Sequence, residues 1–582
     1  MQKSTAGLLF VLAIARTAPA RAASAEAGAL AGVWESDRVF GPEVRGALAL
    51  SRGPSGWTAS IGPFTVAARE ENGEISFGLP GDRGAFRGRR RGAAVEGNWI
   101  QPVSVTDGCR YATPVALAKI SGDAYRGEVR PLEDRLTLDL VIRRAADGAV
   151  TAFIRNPQRN AGLRLGALAV SRSGDTVTLS PPSRPPIVGR AHDGGKWLSF
   201  AFPFADGTFD FTRRAADDAF GVVPRIPPAE GAALARPPET RDGWKTSTLA
   251  EAGLDPAPIE ALVRAILARR ADSVRSPSVQ SLLIARHGKL ALEEYFEGFS
   301  REATHDWRSA SKSLTSLLAG VAIDHGAKFG PETPVYPLFP GGDALVQKKP
   351  RRARITVENL LTMTTGWACD DYDDASPGNE DTMQEQAAQP DWYRFALELP
   401  SIAEPGGPRS FYCSAAMNLA GGVIARAAGV RLEDEFHDGL AAPLGISRYH
   451  LNLMPDGAPY MAGGARLRPR DFLKFGQLIL DGGTWNGRRV VSRDWIDRSV
   501  APHASQSGKD DYGYGWHLGT LAAGGRAYRT IVAGGNGGEL LVVVPELDLA
   551  VAITGGNYGD FRTWSKFEPE VVGGVVIPAI RR

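Results

Sequence analysis

The chain is poor in the residues that build metal and redox centres. Its 582 residues hold only 3 cysteines and 8 histidines. Cys109, Cys369 and Cys413 lack the paired spacing of a zinc site, and no His-Glu-x-x-His occurs, so the sequence implies neither a metal nor a cofactor. No charge of one sign dominates. A net of +2 gives no electrostatic case for nucleic acid, and the cluster Arg87, Arg89, Arg90 and Arg91 reads as a solvated strand face. Beyond the N-terminus no apolar run approaches the ~18 residues of a membrane span. There is no internal repeat and no Gly-x-Ser-x-Gly elbow. His305, just upstream of Ser309, therefore lacks the context of a Ser-His-Asp hydrolase.

What is present is an ordinary globular composition, 43% apolar and 23% charged. At 62.0 kDa the chain exceeds one hydrophobic core. Residues 1–25 read as an export signal: Lys3, the short apolar stretch Leu8–Ile14, and the small-x-small sites Ala20-Arg21-Ala22 and Ala23-Ser24-Ala25. The expected location is periplasmic or secreted, where an oxidising compartment permits one disulfide.

From 28 to 216 short alternating runs such as Arg135–Ile142, Thr151–Ile154 and Thr176–Leu179 are punctuated by turns, Ala146-Asp147-Gly148 among them. Period two with frequent turns predicts an antiparallel β domain, a barrel or sandwich of lipocalin-like character. Pro224, Pro227, Pro228, Pro237 and Pro238 mark a stiff linker over 217–244. From 245 to 582 the pattern is mixed. Thr248–Glu251 forms a capping box, Asp255-Pro256 starts a helix, and Ser281–Ala285 turns at His287-Gly288-Lys289 into Leu290–Tyr295. Strands return at Tyr528–Val532, Leu540–Val544 and Leu549–Ile553. Strands at both ends with helices between predict an α+β domain: an antiparallel sheet closed by the termini, flanked by helices, with a helical lobe inserted.

The chemistry centres on Ser309-Ala310-Ser311-Lys312, the one Ser-x-x-Lys in the chain, at the mouth of an apolar helix with Gly326 as its stop. Residues three apart share a helical face, so the Lys312 amine can meet the Ser309 hydroxyl. An alcohol becomes a nucleophile when a neighbouring base takes its proton. About one such tetrad is expected by chance in a chain of this length, so its weight comes from two segments further along the chain. Phe411-Tyr412-Cys413-Ser414 stands after Pro405-Gly406, and Gly535-Asn536-Gly537-Gly538-Glu539 opens an apolar strand.

In that order and spacing the three segments resemble the penicillin-recognising serine hydrolases: class C β-lactamases, DD-peptidases, and their esterase and 6-aminohexanoate-dimer hydrolase relatives. Leu360–Gly366, Ala442–Ile446 and Tyr512–Trp516 are similar to further family pieces. Cys369-Asp370-Asp371 and Tyr412-Cys413-Ser414 resemble the aminohexanoate-dimer branch most. The resemblance implies an acyl-enzyme at Ser309, Lys312 as its proton partner and Tyr412 as second base and then acid. It also implies an oxyanion held by the N–H groups of Ser309 and Glu539, with Gly537 and Gly538 letting the strand approach closely. Ser414, Asn536, Gly537, Gly538 and Trp516 are the expected substrate-binding residues. The expected substrate is a small ester or amide, and no cofactor is needed.

Two departures from the family pattern shape that expectation. Ser414 stands where Asn is usual, and Asn536 where Lys or His is usual, so the cation that grips a substrate carboxylate is missing there. This favours esters and amides over a DD-peptidase or β-lactamase activity. A non-catalytic binding protein with a decayed hydrolase domain is the alternative outside the enzyme class. In the same reading Cys369 and Cys413 flank the active-site loop and form its disulfide. The acidic stretch Asp370, Asp371, Asp373 and Asp374, continuing to Glu380 and Asp381, is a solvated loop, a lid favouring amine-bearing substrates, or a calcium loop.

Overall fold

A computed structural model describes residues 26–204, 206–214, 234–269, 271–385, 391–506 and 510–581. The expected export signal, and Pro224, Pro227 and Pro228 of the expected linker, lie outside the described residues. Asp242 and Trp244, at the end of that stretch, are buried in the C-terminal half.

The N-terminal half is an antiparallel barrel, built twice. One closed barrel runs Gly32–Gly41, then Asp134–Arg144 and six further strands to Thr208–Arg213, which returns to the first strand at Trp34↔Arg213. Between its first two strands the chain forms a second ring, from Gly46–Gly53 to Ala124–Val129. The last strand pairs both with the first, at Gly46↔Val129, and with Arg110–Ser121, at Ala118↔Arg126. The alternation that predicts the strands also fills the rings. Trp34, Leu138, Leu140, Ile154 and Phe211 pack inside one, and Leu48, Ile75, Val95 and Trp99 inside the other.

The C-terminal half is the expected α+β arrangement. Its sheet places Val279–Arg286 beside Leu549–Gly555, so the two ends of the domain meet at Leu283↔Ala552. The sheet is antiparallel except at its margins, where Lys245–Thr246 and Arg409–Ser410 pair in parallel. One face packs on the helices Pro256–Leu267 and Glu568–Val576. The other buries Ser311–Asp324 and Pro469–Leu480 together with the helical lobe. Asp255 caps its helix, accepting from the Ala257 N–H at 3.2 Å, and Pro256 opens it. His287 (φ 53°) and Gly288 (φ 69°) make the hairpin turn. The Thr248–Glu251 box has its reciprocal bonds, Thr248 N–H to Glu251 Oε2 at 2.8 Å and Glu251 N–H to Thr248 Oγ1 at 3.2 Å, but it closes a turn.

The halves are joined by hydrogen-bonded strands as well as side chains. Tyr449–Leu453 extends the second ring at Leu451↔Ala112, and Ala465–Leu467 carries the pairing to His305–Asp306, three residues before Ser309. His305 is thus a buried strand residue beside Phe299, its imidazole pushed down to about 3 by burial and Arg466. The arginine strand does not face solvent alone: Arg87 pairs with buried Glu433, and Arg91 with Asp438 at 2.5 Å.

Candidate active site

Ser309 sits in the 3-10 turn Arg308–Ala310 that leads into the Ser311–Asp324 helix. Lys312, one helical turn on, is buried; its Nζ donates to Ser309 Oγ at 2.9 Å and to the Ala462 carbonyl at 2.7 Å. The same Nζ lies 4.7 Å from the centre of the Tyr412 ring, and Ser309 is near enough to the Tyr412 hydroxyl to act on its pKa. Two of the three chain segments therefore bring together one alcohol, one amine and one phenol.

Burial sets the protonation of this trio. It lowers the Lys312 amine below the usual 10.5, while Glu380 and Asp371 pull it back up. It raises the Tyr412 phenol well above 10.0, with Tyr512 adding to the rise and nearby Ser309 opposing it. Both directions disfavour an ammonium–phenolate pair and favour a neutral amine beside a neutral phenol, whereas proximity of the two groups alone would favour phenolate. His517, which sequence reasoning did not single out, stacks 6.1 Å from the Tyr412 ring and meets Tyr512 edge-on at 5.0 Å. Burial and Lys312 push its imidazole down to about 4, so it is neutral at pH 7.

The glycine-rich hairpin is placed differently from the expectation. Gly535 ends one strand and pairs with Glu539, which begins the next. A Cβ on Gly535 would meet the Trp307 carbonyl oxygen at 2.4 Å and the Ala310 nitrogen at 3.3 Å, so this glycine, by lacking a side chain, lets the strand lie against the Ser309 turn. Gly537 and Gly538 instead face Tyr558 and Phe567. The Glu539 side chain is fully buried and accepts from the Tyr558 hydroxyl at 2.9 Å; burial raises its carboxyl well above the usual 4.5. Asn536 is exposed, and its Oδ1 accepts from the Gly559 N–H at 2.8 Å. Trp516 does not line the cleft: it is 0% exposed, in the core that also holds Tyr512, Tyr514 and Trp367. Ser414 is likewise buried, starting the Ser414–Ala428 helix.

Cys369 and Cys413 are joined, with Cα atoms 5.4 Å apart across a separation of 44. The bond anchors the acidic loop to the Tyr412 segment, and two hydrogen bonds repeat the tie. The Asp371 N–H donates to the Tyr412 carbonyl, and the Ser414 N–H to Asp371 Oδ2, each at 2.8 Å. Burial and neighbouring Glu380 push the Asp371 carboxyl up to about 7. Glu380 Oε1 accepts from the Tyr460 hydroxyl at 2.5 Å. Asp370 and Asp373 are spent on their own turn, accepting from the Tyr372 and Ala375 N–H groups at 3.0 Å. Asp371 and Glu380 are thus the carboxylates of the loop that act on the site.

Comparison with known proteins fixes the family. The Beta-lactamase family model matches residues 262–562, just over half of the chain, and the chain belongs to that family, a superfamily of serine hydrolases. The 6-aminohexanoate-dimer hydrolase of Paenarthrobacter ureafaciens is 28% identical over 293 residues, 47% of this chain and 71% of that protein. A monacolin J acid methylbutanoyltransferase of Aspergillus terreus is 28% identical over 163 residues, 25% of this chain and 38% of that one. A penicillin-binding protein homologue from Caulobacter crescentus superposes with a TM-score of 0.42 at 14% identity, over 53% of this chain and 93% of that one.

Two measurements test these placements. Gly535→Ala forces the strand off the Trp307–Ala310 turn and should lower kcat/KM on the order of 10²-fold with an unchanged far-ultraviolet spectrum; wild-type kinetics in the variant would remove Gly535 from the site. Without reductant, thiol titration of the unfolded chain should count Cys109 alone. Cys369→Ser with Cys413→Ser should cost about 4 kcal/mol in denaturant unfolding, the loop-closure value for this separation.

Proposed function

We propose that the chain is a serine hydrolase of small esters or amides that works through an acyl-enzyme. The observation carrying this reading is the contact of Ser309 Oγ with a buried, down-shifted Lys312 amine. The neutral amine takes the Ser309 proton as Oγ attacks the substrate carbonyl. The carbonyl oxygen gathers negative charge next to the Ser309 N–H and a second N–H of the Gly535–Glu539 hairpin. Tyr412, a neutral phenol, gives its proton to the leaving oxygen or nitrogen, and Lys312 returns one to it. Water then enters in the place of the leaving group and the same groups run in reverse.

The substrate reading rests on charge. Asp371 and Glu380 lie near enough to Lys312 to raise its pKa, so one side of the cleft grows more negative as Asp371 ionises through about pH 7. An acyl chain ending in an ammonium is favoured there over a neutral chain of equal length. The 6-aminohexanoate-dimer hydrolase similarity points the same way. We place the enzyme in an exported compartment, on its N-terminal apolar stretch and the Cys369–Cys413 pair. Among the described residues no helix is long and apolar enough to cross a membrane.

A hydrolysis screen tests the function directly. It sets p-nitrophenyl hexanoate and p-nitrophenyl 6-aminohexanoate beside aminohexanoate oligomers, D-alanyl-D-alanine peptides and nitrocefin. The aminohexanoyl ester should be turned over about fivefold more efficiently than the neutral ester at low salt, with the gap closing at 1 M NaCl. Preferred turnover of nitrocefin or of the D-alanyl peptides would replace this reading with a lactamase or peptidase, and no turnover of any would leave a binding protein. kcat/KM should rise with pH along a limb whose midpoint lies below 10.5, as protonated Lys312 becomes neutral. Asp371→Asn removes a negative charge that stabilises the ammonium, so the limb should move to lower pH; movement to higher pH would contradict the assignment.

A further inference from the structure

The residue before the nucleophile has no role in the chemistry above. Arg308 holds a left-handed backbone, φ 46°, which an arginine adopts only when its surroundings fix it there. Asp306 does much of the fixing: it accepts from the Arg308 N–H at 3.0 Å and pairs with Arg308 Nε at 3.1 Å. Asp306 is held by Arg466 at 3.7 Å, and Arg466 by Asp107 of the second ring at 3.2 Å. Asp107 also pairs with Arg159, which belongs to the loop after the first ring's Val150–Arg155 strand. The barrels therefore reach the nucleophile turn through a ladder of alternating charge.

Two features of the ladder point outward. Its three guanidinium groups, Arg159, Arg308 and Arg466, face two carboxylates, Asp107 and Asp306; burial shifts Glu539 and Tyr558 alongside toward their neutral forms. One positive charge is left over. It falls on the most open member: the Arg308 side chain is 38% exposed, against 22% for Arg159 and 13% for Arg466. Its carbon Cζ lies 5.1 Å from the centre of the Tyr558 ring, which orients the fork. Neither Nη of Arg308 makes a hydrogen bond to a described residue. A planar guanidinium with both Nη free is the side chain best suited to bind a carboxylate in two-point fashion.

The wall on that side also comes from the barrels. Asn160 Nδ2 donates to the Tyr558 carbonyl at 3.0 Å, and Leu163 lies 3.3 Å from where a Cβ on Gly559 would stand. Gly559 in turn holds Asn536.

We infer that Arg308, held in place by the barrel half of the chain, binds an anionic group on the leaving portion of the substrate. This rests on the ester or amide hydrolase reading and extends it. The cation absent at Asn536 is thereby supplied from another part of the fold.

The test compares 4-carboxyphenyl hexanoate with its neutral isostere 4-carbamoylphenyl hexanoate, in wild type, Arg308→Gln and Arg308→Lys. In the wild type the carboxylate ester should have the lower KM, and its advantage should shrink between 20 mM and 1 M NaCl. Arg308→Gln should lower the ratio of the two kcat/KM values about tenfold, mostly through KM, and Arg308→Lys about threefold, since it keeps charge but loses the fork. If Arg308→Gln does not fold, the lysine variant and the wild-type salt series carry the same comparison. A ratio unchanged within twofold by substitution and by salt, with both esters turned over, overturns the Arg308 assignment alone. Failure of the wild type to turn over either ester overturns the hydrolase reading and this inference with it.

Discussion

The site depends on one amine being kept out of water without a carboxylate in contact. Lys312 Nζ meets a hydroxyl, a carbonyl and the face of a phenol ring. Taking an ammonium into such surroundings is costly, and the cost is relieved if the group gives up its proton. The fold thus lowers the pKa of an amine that is ordinarily charged at neutral pH. Asp371 and Glu380 temper the effect from a distance, and the disulfide keeps Asp371 in place. Tyr412 is shifted the opposite way by the same burial, so one environment prepares an acceptor and a donor side by side.

The barrels belong to this arrangement. Strand pairing runs without a break from the second ring through Tyr449–Leu453 and Ala465–Leu467 to His305–Asp306, and the buried Thr113–His450 hydrogen bond at 2.7 Å ties the same seam. A backbone ladder that ends three residues from the nucleophile is a stiff support. Functional residues gain from being held by rigid elements whose own partners are fixed.

Much of this was legible in the sequence, for identifiable reasons. Ser309 and Lys312 share a helical face, and helical period is a local property. Alternation foretold the barrel strands, and two runs of strands flanking helices foretold the C-terminal sheet. What stayed hidden was non-local. Alternation says which residues point inward but not which strands pair, so one ring nested in another reads as a single domain. Of the clustered glycines, the one that meets the Ser309 turn is decided by hairpin register, hence Gly535 and not Gly537 or Gly538. Trp516 ends a family motif yet is buried in the core, because it lies in the connection between the Asp510–Tyr512 and His517–Ala523 strands, whose placement is set by the whole sheet. The Thr248–Glu251 box made its bonds without a helix to cap. The Asp107–Arg466–Asp306–Arg308 ladder draws on segments far apart in the chain and has no local signature.

The most direct measurement is labelling by a fluorophosphonate across pH, read by peptide mass spectrometry, in wild type and Lys312→Met. A single adduct on Ser309 should form, faster as pH rises through a midpoint below 10.5, and Lys312→Met should slow it by about three orders of magnitude. An adduct elsewhere, or equal rates in the two proteins, would contradict the buried amine as the base that activates Ser309.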